Sequence, residues 1–126
     1  MEEKVVRIEV TAVGNFEGTN VKKNKSMDLK FIFGIEERSN IIQAVMLVGQ
    51  DISVFTKKGK EKAKFLGVFR FNSLHIDRDG QTKITFNTMT EDAKMDAINE
   101  MIENSEYIKV KMVADVEMED KEDDEE

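Results

Sequence analysis

Few side chains in this sequence could carry chemistry. There is no cysteine and a single histidine in 126 residues, which excludes disulfides, thiol catalysis and thiolate metal sites. His75 lies in a run of strand-like alternation, and no partner for a nucleophilic triad is identifiable around it. Asp77-Arg78-Asp79-Gly80 starts like a calcium loop, but that loop needs glycine sixth and glutamate twelfth. Here Gly80 is fourth and Thr88 twelfth, so a hairpin turn is expected instead. No glycine-rich phosphate loop, zinc-ligand spacing or nucleophile elbow occurs. The expectation is a non-enzymatic protein with no metal and no cofactor.

The lysines offer more. Lys57, Lys58, Lys60, Lys62 and Lys64 fall close together with only Glu61 opposing them, and Lys22, Lys23 and Lys25 form a second group. If both groups sit at one end of a sheet, they make a cationic patch able to contact phosphates. Phe16 and Phe55 lie near them in sequence and are candidates for stacking on bases. A solvated lysine-rich turn that blunts a sheet edge would use the same residues. The spatial arrangement decides between the two.

The negative charge is concentrated at the other extreme. Residues 115–126 hold nine acidic residues against Lys121, a segment charge of −8, while the whole chain carries −7. The body therefore carries about +1, with 18 Lys/Arg against 17 Asp/Glu over residues 1–114. A like-charge run resists packing and often serves as an interaction arm. A disordered tail over 115–126 is expected, with Glu117, Glu119, Asp120, Glu122, Asp123, Asp124, Glu125 and Glu126 as its interacting residues. It would solubilise the chain, dock on a basic partner, or occupy the protein's own lysines until nucleic acid displaces it.

The remaining 114 residues suffice for one domain with its own core. Val6, Ile8, Val10 and Ala12 alternate with polar residues and predict a strand over 5–13. Gly14 to Ser26 reads as a loop, and Met27 to Phe33 as a second strand. Residues 39–48 carry no charge. They read as a short buried helix capped by Ser39 or Asn40, although a buried strand has the same apolar character. Strands follow over 52–56, 63–77 and 81–88, with Asp79-Gly80 as a two-residue hairpin turn. Thr88 and Glu91 match a capping box for a helix to about Glu103, and Tyr107 to Val116 alternates as the last strand. The fold class is α+β: a mostly antiparallel sheet of about six strands with two helices. It closes either as a barrel-like ring or as a split βαβ-type sheet.

A two-residue turn would pair Arg78 with Gln81, His75 with Ile84 and Phe71 with Thr88. It would also put Phe65, Gly67, Phe69, Phe71 and His75 on one aromatic face. Lys64 to Phe71 resembles the aromatic strand motif of RNA-recognition domains in its basic start, its Gly67 and its final aromatic. It departs from that motif at Phe65, Leu66, Val68 and Phe69. Exposed, these rings would stack on bases; buried, they would fill the core. With eight phenylalanines and no tryptophan available, the core reading leads.

A β-rich body, basic loops, aromatic platforms and an acidic C-terminal tail together resemble the layout of single-stranded DNA-binding proteins of bacteria and their viruses. The terminal aromatic or Pro-Phe element of those tails is missing, since the chain ends Asp123-Asp124-Glu125-Glu126. The resemblance implies a small nucleic-acid-binding accessory protein with a single-strand preference, of the kind mobile elements encode, its tail competing for the basic patch. The alternative is an inhibitor or assembly factor that grips a basic protein through the tail or a sheet edge. No apolar run is long enough to span a membrane, and the start Met1-Glu2-Glu3-Lys4 lacks the pattern of a leader. A cytoplasmic location is expected. Composition does not fix the oligomeric state.

Overall fold

A computed structural model describes residues 3–103 and 107–119. In chain order the strands are β1 (Glu3–Val21), β2 (Ser26–Phe33), β3 (Asp51–Lys57), β4 (Lys64–Ile76), β5 (Thr82–Met89) and β6 (Ile108–Glu119). The helices are α1 (Arg38–Ile41) and α2 (Met95–Glu103), with short 3₁₀ turns beside them. All strand pairs are antiparallel. The strands close in the order β1-β2-β5-β4-β3-β6, with β6 returning to β1. The ring-like closure is therefore the one adopted, and an open split sheet is not.

Period-two alternation builds the wall. Leu29, Phe31 and Phe33 of β2, Ile84 and Phe86 of β5, and Val110 and Met112 of β6 point inward and are fully or almost fully buried. Phe86 is the hub of the interior. Its ring lies edge-on to Phe31 and Phe71 at centroid distances of 5.8 and 5.4 Å, and beside Phe69 at 6.2 Å. The two crossovers plug the ends. Ile41, Ala44 and Leu47 from the β2–β3 connection join the core at one end, and Ile98 and Met101 of α2 join it at the other.

Several expectations are corrected. Gly14 to Val21 is strand, not loop. β1 pairs with β6 up to Gly14 and with β2 from Asn15 onward. The chain can turn this corner because Gly14 has no side chain: a Cβ there would lie 2.6 Å from the Phe33 ring. A bulge between Phe16 and Gly18 absorbs the rest of the bend.

The β4–β5 turn is wider than two residues. Asp77 N–H donates to Gln81 O, Gly80 N–H donates to Asp77 O, and Gly80 takes φ +82°. That makes a three-residue loop with glycine in the left-handed position. His75 consequently faces Lys83 instead of Ile84, and Phe71 faces Phe86 instead of Thr88 after a bulge at Asn72. His75 lies on the outside.

A third bulge, at Leu66 and Gly67, reverses the facing of the start of β4: Leu66 is buried and Phe65 exposed. Gly67 takes φ +130°, where a Cβ would meet the Asp92 carbonyl at 2.8 Å. Residues 39–47 are helical, as 3₁₀ from Ile42 on, but only partly buried, and no side chain caps α1. Thr88 donates its hydroxyl to Val68 O and caps nothing; a 3₁₀ turn over Thr90–Asp92 precedes α2. The last strand reaches Glu119, five residues into the acidic segment, because β1 offers partners down to Glu3.

Candidate nucleic-acid interface

The lysine groups occupy two hairpin tips. Lys22, Lys23 and Lys25 form the β1–β2 tip, where Lys25 takes φ +69°. Lys58, Lys60 and Lys62 lie in the β3–β4 tip, between Lys57 at the end of β3 and Lys64 at the start of β4. Strand directions place both tips at the end of the ring plugged by α2. The strand order sets them on opposite sides of it, with β5 between them one way round and β6 the other. They form two cationic patches and not one. Lys22 is also engaged by Asp28 at 3.6 Å.

The second tip continues onto the outer wall. On β3 and β6, Lys57 stands directly opposite Lys109, and Phe55 opposite Lys111. On β3 and β4, Phe55 stands opposite Phe65. The two rings are tilted at 41° with centroids 5.1 Å apart; Phe55 is half-buried and Phe65 is 37% exposed. A row of one lysine and two aromatic rings, Lys111, Phe55 and Phe65, thus runs across three strands. Beyond Phe65 it opens into a groove of about 570 Å³ whose lining includes Val68, Arg70, Met89 and Lys94. Met95 borders Phe65 on the other side.

Cations dominate the row without being wholly free. Lys111 is 3.0 Å from Glu9, Arg70 is 3.4 Å from Asp51, and Lys64 pairs with Glu100. All six of these side chains are well exposed, so the pairs are weak and exchange readily with another anion. Lys57, Lys58, Lys60, Lys62 and Lys109 have no ion-pair partner among the described residues. Like charges directly opposite across a ladder oppose sheet formation, so the Lys57–Lys109 pair is a local cost to the fold.

The other sequence candidates fall outside this row. Phe16 turns inward, edge-on to Phe31 at 5.6 Å, and packs against the core. Glu117 and Glu119 lie on β6 at register with Val5 and Glu3. Asp120, Glu122, Asp123, Asp124, Glu125 and Glu126 lie outside the described residues. Sequence reasoning passed over Lys109 and Lys111. The alternation that turns Ile108, Val110 and Met112 inward turns them outward, and that was the available signal. The alternation alone points Phe65 inward, because the Gly67 bulge leaves no mark on the hydrophobic pattern.

Among the described residues, no three His, Asp or Glu side chains come together as a metal site. No helix among them is long and apolar enough to cross a membrane. No family model matches this chain, and no curated protein sequence matches it.

Proposed function

We propose that this protein binds single-stranded nucleic acid on the outer face of β4, β3 and β6 and catalyses no reaction there. The observation that carries the reading is the cross-strand row Lys109/Lys57 and Lys111/Phe55/Phe65. Rings accept bases of any sequence by stacking, and flanking ammonium groups track the phosphates. Apolar Val68, Met89 and Met95, each more than a third exposed, extend the stacking surface past Phe65. A cationic face built on a closed ring has no free sheet edge to complete, so the strand would lie across the wall.

The acidic segment enters differently from a competitor held on the patch. Ten residues of β6 separate Lys109 from Glu119, about 33 Å at strand rise. Residues 120–126 extend at most about 25 Å when fully stretched. Stretched back along β6 they end about level with Lys111, and the lysines of the β3–β4 tip lie beyond that by more than a Debye length of about 8 Å at physiological salt, so coupling to the tip is weak. The same separation favours the second reading, an inhibitor or assembly factor, because the acidic segment is held away from the lysines of both hairpin tips and can grip a basic protein.

Fluorescence anisotropy with a labelled oligonucleotide, at two salt concentrations, separates these readings. The full chain and a chain lacking residues 120–126 are both titrated. Binding that weakens steeply with salt and changes less than about threefold on truncation supports the proposal. No binding at low salt refutes it and favours the protein-interaction reading. A large gain on truncation restores the competing tail.

A further inference from the structure

The ring closes, yet one strand keeps an unpaired edge. β1 pairs with β6 from Glu3 to Gly14 and with β2 only from Asn15 onward, so its first half has a ladder on one side alone. A hydrogen bond on the other side fixes which groups point there: Val13 donates its N–H to the Glu37 carboxylate at 2.8 Å. Backbone directions alternate along an antiparallel ladder. The N–H and C=O of Val5, Arg7, Glu9 and Thr11 therefore point the same way as those of Val13. Among the described residues, these groups bond no other element on that side. All four residues are exposed, Val5 by 66%, and neighbouring Val6 by 39%. Such a row of free donors and acceptors is a template for one more strand.

We propose that this strand is β1 of a second copy of the chain, laid antiparallel about a two-fold axis at Ile8. Charge selects both the occupant and the register. With the axis at Ile8, Arg7 of each copy stands opposite Glu9 of the other, and Val5 opposite Thr11. An axis at Arg7 or at Glu9 sets that residue opposite its own copy, and one at Val6 sets Glu3 opposite Glu9. An axis at Val10 needs the Val13 N–H that Glu37 already holds. The Ile8 register forms about eight backbone hydrogen bonds, through Val5 with Thr11 and Arg7 with Glu9 in both directions. It also extends ion pairs already present. Arg7 lies 3.3 Å from Asp115, and Lys111 lies 3.0 Å from Glu9. Across the joined sheet Asp115, Arg7, the partner's Glu9 and the partner's Lys111 then alternate in sign.

The acidic ends of the two copies stay apart in this arrangement. β6 ends level with Glu3. The antiparallel offset separates the two Glu3 positions by about 33 Å along the strands, and three strand spacings add about 14 Å across them. Both distances exceed a Debye length of about 8 Å. β6 also lies on the side of β1 away from the contact, so Lys109 and Lys111 stay open and the dimer does not depend on the nucleic-acid reading. A single strand pair buries little area, and the expected dissociation constant is about 10–100 μM.

Sedimentation velocity of the full chain, from well below to well above that range, tests the proposal. A reversible monomer–dimer shift is expected. Arg7→Glu and Glu9→Arg should each abolish it, because each sets like charges opposite one another at both facing positions. Mixed in equal amounts, the two variants should pair with each other, since every facing position then joins opposite charges. Both side chains are exposed, so the far-UV circular dichroism and melting temperature of each variant should stay close to wild type. A wild-type chain that stays monomeric throughout overturns the proposal and assigns the edge to a strand of another protein. Dimers that survive in either variant alone, or folded variants that fail to pair when mixed, overturn it as well by placing the contact elsewhere.

Discussion

Replacing Lys57 and Lys109 together with glutamine tests the proposed face through a number that structural damage does not imitate. Both side chains are exposed on the outer wall, so neither holds the core together. Five lysines of the face have no ion-pair partner among the described residues: Lys57, Lys58, Lys60, Lys62 and Lys109. If each contacts one phosphate, the slope of log affinity against log salt is about −3.5, at roughly −0.7 per contact for a single strand. Raising salt from about 50 to about 200 mM then weakens binding about 130-fold. Removing two contacts brings the slope to about −2.1 and the loss to about 18-fold. The assay is anisotropy titration of a labelled oligonucleotide across several salt concentrations. An unchanged slope in the double variant would refute the placement of the phosphates, even if affinity fell. Lys22→Gln with Lys23→Gln, on the far hairpin, should leave the slope near its wild-type value.

Phe55→Ala and Phe65→Ala should each weaken oligonucleotide binding by about 5- to 150-fold, the worth of one stacked base, in a titration at fixed salt. An effect equal to that of Thr19→Ala would remove the stacking role. Lys109→Thr should raise the free energy of unfolding by about 0.2–1 kcal/mol in a urea titration, since it relieves the like-charge pair with Lys57, while weakening binding; loss of stability would contradict the assigned register. Lys25→Gly should stabilise the fold by about 1 kcal/mol, because glycine carries no penalty at positive φ, and should leave oligonucleotide affinity nearly unchanged. Phe86→Ala should cost about 3–5 kcal/mol by opening a cavity among Phe31, Phe69 and Phe71, measured by the same urea titration.

Alternation made most of the wall legible in advance. The inward residues of β2, β3, β5 and β6 follow the period of two without interruption, so their strands and facing can be read directly from residues such as Leu29, Phe31, Ile84 and Val110. What could not be read was where the period slips. The bulges beside Phe16, at Leu66–Gly67 and at Asn72 each insert one residue, and a one-residue slip exchanges inside for outside. Phe65 and His75 both face outward for this reason, against the plain alternation. Asp79-Gly80 marked a turn correctly but not its length, because Asp77 accepts from both Asp79 and Gln81 through its carboxylate and widens the loop. The candidate interface suffered likewise. The β3–β4 lysines were visible as a cluster, whereas their continuation through Lys109 and Lys111 depends on β6 lying beside β3, more than fifty residues away in the chain.

That position of β6, inserted between the first strand and the third, has a consequence for how the chain is made. Strands β1 to β5 can pair among themselves as they emerge from the ribosome, but the sheet stays open along β1 and β3 until the last strand arrives. Two unpaired edges are then exposed during synthesis, and such edges recruit strands from other chains. Premature termination before Ile108 should therefore yield aggregates and not a smaller soluble domain, and dense charge downstream of the final strand is well placed to keep the newly closing polypeptide apart from its neighbours.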